Sequence, residues 1–261
     1  MTFDQLIAAA ATNEVIVPAT WAQGRATFGG LTGALAYDRM KQVISPGRPL
    51  RAMQVSFVGP VEPDKPVTFE AELLREGKAV SQTMVRLIQD GETRLVALAS
   101  FGGGRESAVA IPPLPAPQAP APEDCTPTPF MEGVMPDFTR YMEMRWCFGG
   151  RPFTGTEHRE MGGWMQFREP PAVMDDAALI ALIDAWPPAI LQNLTDRVPG
   201  SSLSWSIELI HPRPQMKPDD WLLYRATTDQ SGAGYGHIHA EIWTRDGELA
   251  AISRQSVVVF G

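Results

Sequence analysis

The chain is poor in the residues that most enzyme classes need. Only two cysteines, Cys125 and Cys147, occur in 261 residues, which excludes a disulfide framework and fits reduced thiols in a cytoplasmic protein. Four histidines are present. His158 and His211 are isolated, while His237 and His239 share one strand face without a third ligand. They read as surface residues, and no metal is expected. No G-x-S-x-G elbow exists, and neither cysteine has a recognisable His, Asn or Asp arrangement, so a serine or cysteine nucleophile is disfavoured. A dinucleotide fingerprint and a P-loop are also missing, and no cofactor is expected. Lys and Arg total 22 against 30 Asp and Glu, a formal net charge of −8. That balance argues against a general nucleic-acid or anionic-membrane surface, leaving room for a local basic groove. No apolar run approaches the roughly 20 residues needed to cross a bilayer. The opening MTFDQLIAAAATNE has acidic Asp4 and no basic stretch, unlike a signal peptide. Thr2 and Gln5 there fit a capping box on a short helix.

Proline is abundant, at 24 residues, and concentrated in IPPLPAPQAPAPEDCTPTP within 105–129. Such density favours extended polyproline conformations and cannot maintain a sheet ladder. It reads as a semi-rigid spacer between similar halves. On either side lies the same β-rich block. Residues 49–103 and 202–261 each carry a strand, a Pro-containing connection and two strands leading to a D-G-E turn, then a last strand. The turns are Asp90-Gly91-Glu92 and Asp246-Gly247-Glu248. Asp-Gly between alternating apolar runs is a strong hairpin signal. Candidate helices precede the blocks near 29–44 and 175–193, the second kinked by Pro187 and Pro188. Strands are further expected over 13–20, 137–148 and 156–169, with a glycine-punctuated loop over 21–30. Each half is one helix plus a mainly antiparallel sheet that wraps it. The expected class is α+β, a double hotdog: a first unit over 1–104, a linker over 105–129 and a second unit over 130–261.

Asp184 is the most informative side chain. Its helical neighbours Ile180, Ala181, Pro187 and Pro188 are apolar. An unpaired carboxylate in such a setting is costly and has a raised pKa, which suits a general base. A carboxylate bonding amides freed by the proline kink explains it equally well. Asp175 and Asp176 are explained by capping. Asp38 on the first helix neighbours Lys41 and Gln42 and reads as a solvated residue. Gln255 falls among Ala251, Ser253, Val257 and Val259 on one strand face, where it orients water or substrate, or bonds neighbouring backbone. Ala99 takes its place in the first half. Ser202, Ser204 and Ser206 alternate with Leu203, Trp205 and Ile207, as a polar face opposite a core face. Phe28-Gly29-Gly30 precedes a helix, where amides bind a carbonyl oxygen or phosphate; close helix packing is the simpler use of these glycines.

These pieces, in this order, resemble the type II acyl-CoA thioesterases. The resemblance covers nearly the whole chain. It is carried by the W-A-Q-G-R…F-G-G run at 21–30, RAMQVSFVGPVEP to ALASFGG, LIDAWPPA at 182–189, SLSWSIELIH at 202–211, DDWLLY at 219–224 and RDGELAAISRQ at 245–255. It implies hydrolysis of acyl-CoA thioesters. Asp184 is then the catalytic carboxylate, Gln255 the catalytic glutamine and Ser202 the catalytic hydroxyl, with Ser204 as the alternative. Backbone amides of Gly29 and Gly30 would help hold the thioester carbonyl, and Arg25, Arg39 and Arg51 are candidates for the CoA phosphates. The implied partners are acyl-CoA and a second copy of the chain, as a homodimer or higher homo-oligomer, with no nucleic acid and no membrane. A non-catalytic acyl-CoA-binding module is the first alternative. A hotdog hydratase or dehydratase is the second, weakened because no histidine lies on either central helix.

Overall fold

The capping box forms as expected: the Thr2 hydroxyl accepts from the Gln5 amide and Gln5 Oε1 accepts from the Thr2 amide, starting α1 (Phe3–Ala10). A computed structural model describes residues 1–260. Two more helices follow, α2 (Gly29–Lys41) and α3 (Asp176–Ile183). Thirteen strands complete the described residues. In the first half they are β1 (Glu14–Ile16), β2 (Ala22–Gln23), β3 (Ala26–Thr27), β4 (Leu50–Phe57), β5 (Pro66–Glu76), β6 (Val80–Gln89) and β7 (Glu92–Gly102). The second half has β8 (Met142–Phe148), β9 (Glu160–Phe167), β10 (Gly200–Leu209), β11 (Leu222–Gly232), β12 (Tyr235–Thr244) and β13 (Leu249–Val259). The four-strand block is thus present twice. The 21–30 loop carries the small β2–β3 hairpin, and the expected strand at 137–148 opens as a 3-10 turn over Asp137–Tyr141.

Eleven strands form one antiparallel sheet, in the order β1-β5-β6-β7-β4-β10-β13-β12-β11-β9-β8. The halves meet edge to edge along β4 and β10, where Gln54 faces Ser206. Met53 pairs with Ala99 on one side of this seam as Trp205 pairs with Gln255 on the other. An approximate twofold through the Gln54–Ser206 pair therefore relates the halves, matching Leu50 to Ser202. Each half of the sheet wraps its own helix, the double hotdog arrangement.

The two central helices also pack against each other, which explains a glycine-rich start to α2 despite the poor helix propensity of glycine. A Cβ on Gly30 would lie 2.7 Å from the Ala181 carbonyl oxygen, and one on Gly33 2.9 Å from Trp205 Cζ3. Every residue of α3 is buried. That helix is shorter than expected. Proline cannot donate to the carbonyl four residues back, so Pro187 and Pro188 end the helix before they are reached. Ile183 is its last residue, and Asp184 follows as the cap at φ −92°, ψ 3°.

The turns diverge between halves. Asp90 and Gly91 both have positive φ, 53° and 76°, as a tight two-residue hairpin requires. In the second half Gly247 alone is left-handed, at 85°, and a wider loop joins β12 to β13.

The proline-rich segment is more than a spacer. It lies against the outer face of the second half-sheet, where Trp164 Nε1 donates to the Pro120 carbonyl at 2.8 Å and Trp243 Nε1 to that of Leu114 at 3.0 Å. Arg245 clamps Glu123 with two bonds of 2.8 and 2.9 Å. Ala116, Ala119 and Cys125 join Trp164, Trp221 and Trp243 in a separate small core. Polyproline backbone offers carbonyls without competing donors, and the indoles use them. Among the described residues, no helix is long and apolar enough to cross a membrane.

Candidate active site

At the first-turn end of α2, three polar side chains from three elements meet. Gln255 Nε2 on β13 donates to Asp184 Oδ1 at 2.6 Å. The Ser202 hydroxyl on β10 donates to Gln255 Oε1 at 3.2 Å. The glutamine amide thus links hydroxyl to carboxyl. Opposite it lies the start of α2, whose first amides have no acceptor within the helix. No side chain caps Phe28, and Asp184 from the other half takes up that position. A Cβ on Gly29 would stand 2.7 Å from Asp184 Oδ2, so the missing side chain is what lets the carboxyl approach.

Asp184 keeps a partly exposed edge while protein encloses its carboxyl. Burial pushes its pKa up to about 7, against the opposing pull of the Gln255 donor and the Gly30 amide. Phe57, at the end of β4, places its ring 3.2 Å from the same Gly29 Cβ position and forms a wall supplied by the first half. Behind Asp184, Trp186 stacks on Tyr224 with centroids 5.7 Å apart, and its ring meets Trp146 edge-on at 4.4 Å. The Tyr224 hydroxyl is pushed up by burial first and by the charges of Asp184 and Glu241 next.

The serines do not alternate along one face as expected. A bulge in β10 sets Ser202 opposite Val257 and Ser204 opposite Ser256. Val257 shares a face with Gln255, so the extra residue, Leu203, turns Ser202 inward and leaves Ser204 outward and exposed. Of the two candidate hydroxyls, Ser202 is the one beside Gln255.

Residues 17–102 match the family profile described as the acyl-CoA thioesterase N-terminal domain, and residues 122–259 match that of the C-terminal domain. The chain belongs to the acyl-CoA thioesterase family. Among curated proteins it is 25% identical over 256 residues to acyl-CoA thioesterase 2 of Haemophilus influenzae, spanning 90% of this chain and 88% of that one. Among solved structures, a hot dog fold protein from Alicyclobacillus acidocaldarius superposes with a TM-score of 0.81 at 25% identity, covering 95% of this chain and 92% of the other. An acyl-CoA thioesterase II from Mycobacterium marinum gives 0.77 at 21% identity, with 95% and 93% coverage, a likeness of fold.

The other charged groups of the thioesterase are placed differently. Arg25 is exposed on the β2–β3 hairpin that leads into Gly29. Arg39 is committed to the Ala11 carbonyl and Gln42. Arg51 lies at the far end of β4. At the opposite end of α2 the equivalent chemistry has gone. Leu50 and Ala99 stand where Ser202 and Gln255 stand in the second half. Asp38 there is half-buried rather than solvated: it accepts from Gln42 at 2.8 Å, and burial raises its pKa. Asp175 caps α3, accepting from the Ala178 amide at 3.0 Å. Asp176 is not explained by capping. It is buried, accepts the Tyr37 hydroxyl at 3.0 Å and pairs with Arg213. His237 bonds Ser256 and His239 bonds Asp229, so both are engaged on the sheet surface away from Asp184.

Phe57, Trp186 and Tyr224 were not foreseen as site residues. Aromatic residues in apolar runs look like core in any sequence, and nothing in their spacing separates a pocket wall from packing.

Proposed function

We propose that Asp184, Gln255 and Ser202 form the hydrolytic centre with which this acyl-CoA thioesterase cleaves its substrate to a carboxylic acid and CoA. The observation that supports this is the continuous Ser202–Gln255–Asp184 chain, with bonds of 3.2 and 2.6 Å, ending on a carboxyl whose pKa is about 7. A base tuned to that value has both the ionised fraction and the basicity to take a proton from water near neutral pH. Ser202 and Gln255 orient that water. It attacks the thioester carbonyl, and its proton passes to Asp184. The negative charge on the carbonyl oxygen is met by first-turn amides at Gly29 and Gly30, aided by the positive end of α2. Collapse of the tetrahedral intermediate breaks the carbon–sulfur bond, and the CoA thiolate leaves with the proton from Asp184. No histidine bonds to any of the three residues among the described residues, which supports the carboxylate as the base in this reading.

The test is release of free thiol from acyl-CoAs of graded chain length. Asp184→Asn should lose at least about a hundredfold in kcat, the usual worth of a general base, and Ser202→Ala less. Full turnover by Asp184→Asn would remove the assignment. We also propose the unit division 1–104, 105–129 and 130–261, and a cytoplasmic homo-oligomer. Cysteine usage too sparse for a disulfide framework, two residues in 261, supports the reducing compartment, and sedimentation velocity tests the assembly: a single species of monomer mass would overturn it.

A further inference from the structure

The catalytic cluster lies at one end of the β4–β10 seam, and a separate recess opens at the other. This cavity, of about 670 Å³, is lined by Arg51, Arg105, His211, Val80 and the backbone of Gly102 to Gly104 among others. Among the described residues no carboxylate lines it, in a chain that carries eight excess negative charges. Arg51 uses its Nε on the Gly102 carbonyl at 2.6 Å, which fixes the guanidinium at the wall and leaves its two terminal nitrogens without an acceptor among the described residues. Arg105 is exposed and makes no hydrogen bond or ion pair among them. The His211 ring is pinned by the Leu50 carbonyl at 2.8 Å. Glycine backbone at Gly103 and Gly104 has no side chain to screen its amides.

The internal twofold gives this recess a relation to the reaction. Leu50, beside it, is the counterpart of Ser202, and Ala99 is that of Gln255. The recess therefore occupies, in the first half, the ground that adjoins the catalytic hydroxyl in the second. Arg51 is separated from the Ser202 end of the seam by more than five strand residues, roughly 20 Å at about 3.3 Å each. We propose that this recess is a second, non-catalytic phosphate-binding site, taking the phosphorylated end of a nucleotide-type ligand. Arg51 is a fixed guanidinium at the wall and Arg105 a free one at the rim, and guanidinium donors suit phosphate oxygens. CoA released by the reaction has that chemistry, and so do free adenosine phosphates. The proposal rests on the Asp184 reading only in calling the recess distinct from the hydrolytic centre.

Calorimetry on the full chain tests it, with free CoA, adenosine 3′,5′-bisphosphate and inorganic phosphate as probes and adenosine as the uncharged control. Wild type should bind CoA at two sites, and Arg51→Gln/Arg105→Glu at one. Loss of two charge-assisted contacts should weaken the bisphosphate at this site by at least about tenfold. Arg105→Glu alone, at an exposed and unbonded residue, guards against a folding defect and should weaken it by several-fold. In Arg105→Glu, kcat and KM for acyl-CoA should hold. Tighter binding of CoA than of the bisphosphate makes the product the occupant, and the reverse order a free nucleotide. A single CoA site in wild type overturns the proposal, as does bisphosphate affinity unchanged in the double variant. A KM that rises in step with the bisphosphate Kd does so too, because the arginines would then serve the substrate itself. Asp184→Asn separates the two readings: it tests hydrolysis and should leave binding at the recess intact.

Discussion

Asp184 is held between opposed forces. Enclosure by protein disfavours its charge, while the Gly30 amide and the Gln255 donor favour it, and the outcome is a pKa of about 7. If this group is the base, kcat/KM must rise with pH and reach half its plateau near 7, since that ratio reports the free enzyme. A profile flat between about pH 5 and 9 would remove Asp184 from that role. The same shift acts on stability with a definite sign. The folded state holds the proton more tightly than the unfolded chain, whose aspartate titrates near 3.8. Stability from this residue is complete below that value, falls as pH rises through the window, and is lost above about 7. The gap corresponds to at most roughly 4 kcal/mol. Asp184→Asn should therefore melt above wild type at pH 8, with the difference shrinking as pH falls toward 4; a pH-independent difference in Tm would contradict the shift. Asp184 and Gln255 were legible because each is a polar residue in an apolar pattern. Ser202 was harder to read, since strict alternation assigned it to the outer face, and one inserted residue, Leu203, reversed that.

At the scale of elements, the site depends on how closely α2 approaches what it packs on, and its two leading glycines have different duties. A methyl on Gly29 would meet Asp184 Oδ2 at 2.7 Å, the far end of a side chain that can swing away. Gly29→Ala should then fold normally, gaining the helix preference of alanine, yet lose about ten- to a hundredfold in kcat/KM because the carboxyl is displaced. A methyl on Gly30 would meet the Ala181 carbonyl at 2.7 Å and the Phe28 ring at 2.5 Å. Backbone cannot yield as a side chain does, so Gly30→Ala should lower stability by about 1–3 kcal/mol, read as a shift in the denaturant midpoint. Equal effects of the two variants on both readouts would show that packing alone accounts for them. The position of α2 and the paired hairpins could be read from spacing and turn residues. The end of α3 could not be placed from apolar periodicity, because the apolar pattern continues through Ala185 and Trp186 after Pro187 has already removed the hydrogen bond that would extend the helix.

Across the whole molecule, duplication has produced halves that share a frame and differ in what fills it. The proline-rich run shows the limit of composition as evidence. Its extended conformation was readable, but its binding to Trp164 and Trp243 was not, since those residues lie far along the chain. The first half shows a similar divergence at its own helix end. Rebuilding a second centre there would require a hydroxyl, an amide and a carboxyl facing the first turn of α3. Leu50→Ser and Ala99→Gln supply the first two at matched positions. The carboxylates present are already engaged, Asp176 with Tyr37 and Arg213 and Asp38 with Gln42. Asp175 and Asp176 also put negative charge where the counterpart site offers bare amides, opposing both a carboxylate base and an oxyanion. Introduced into Asp184→Asn, the Leu50→Ser/Ala99→Gln pair should leave thiol release at the level of Asp184→Asn alone. A return to even about 1% of wild-type turnover, which needs only part of the usual contribution of a general base, would show that the first half still holds a working carboxylate and that the duplication lost less than its side chains indicate.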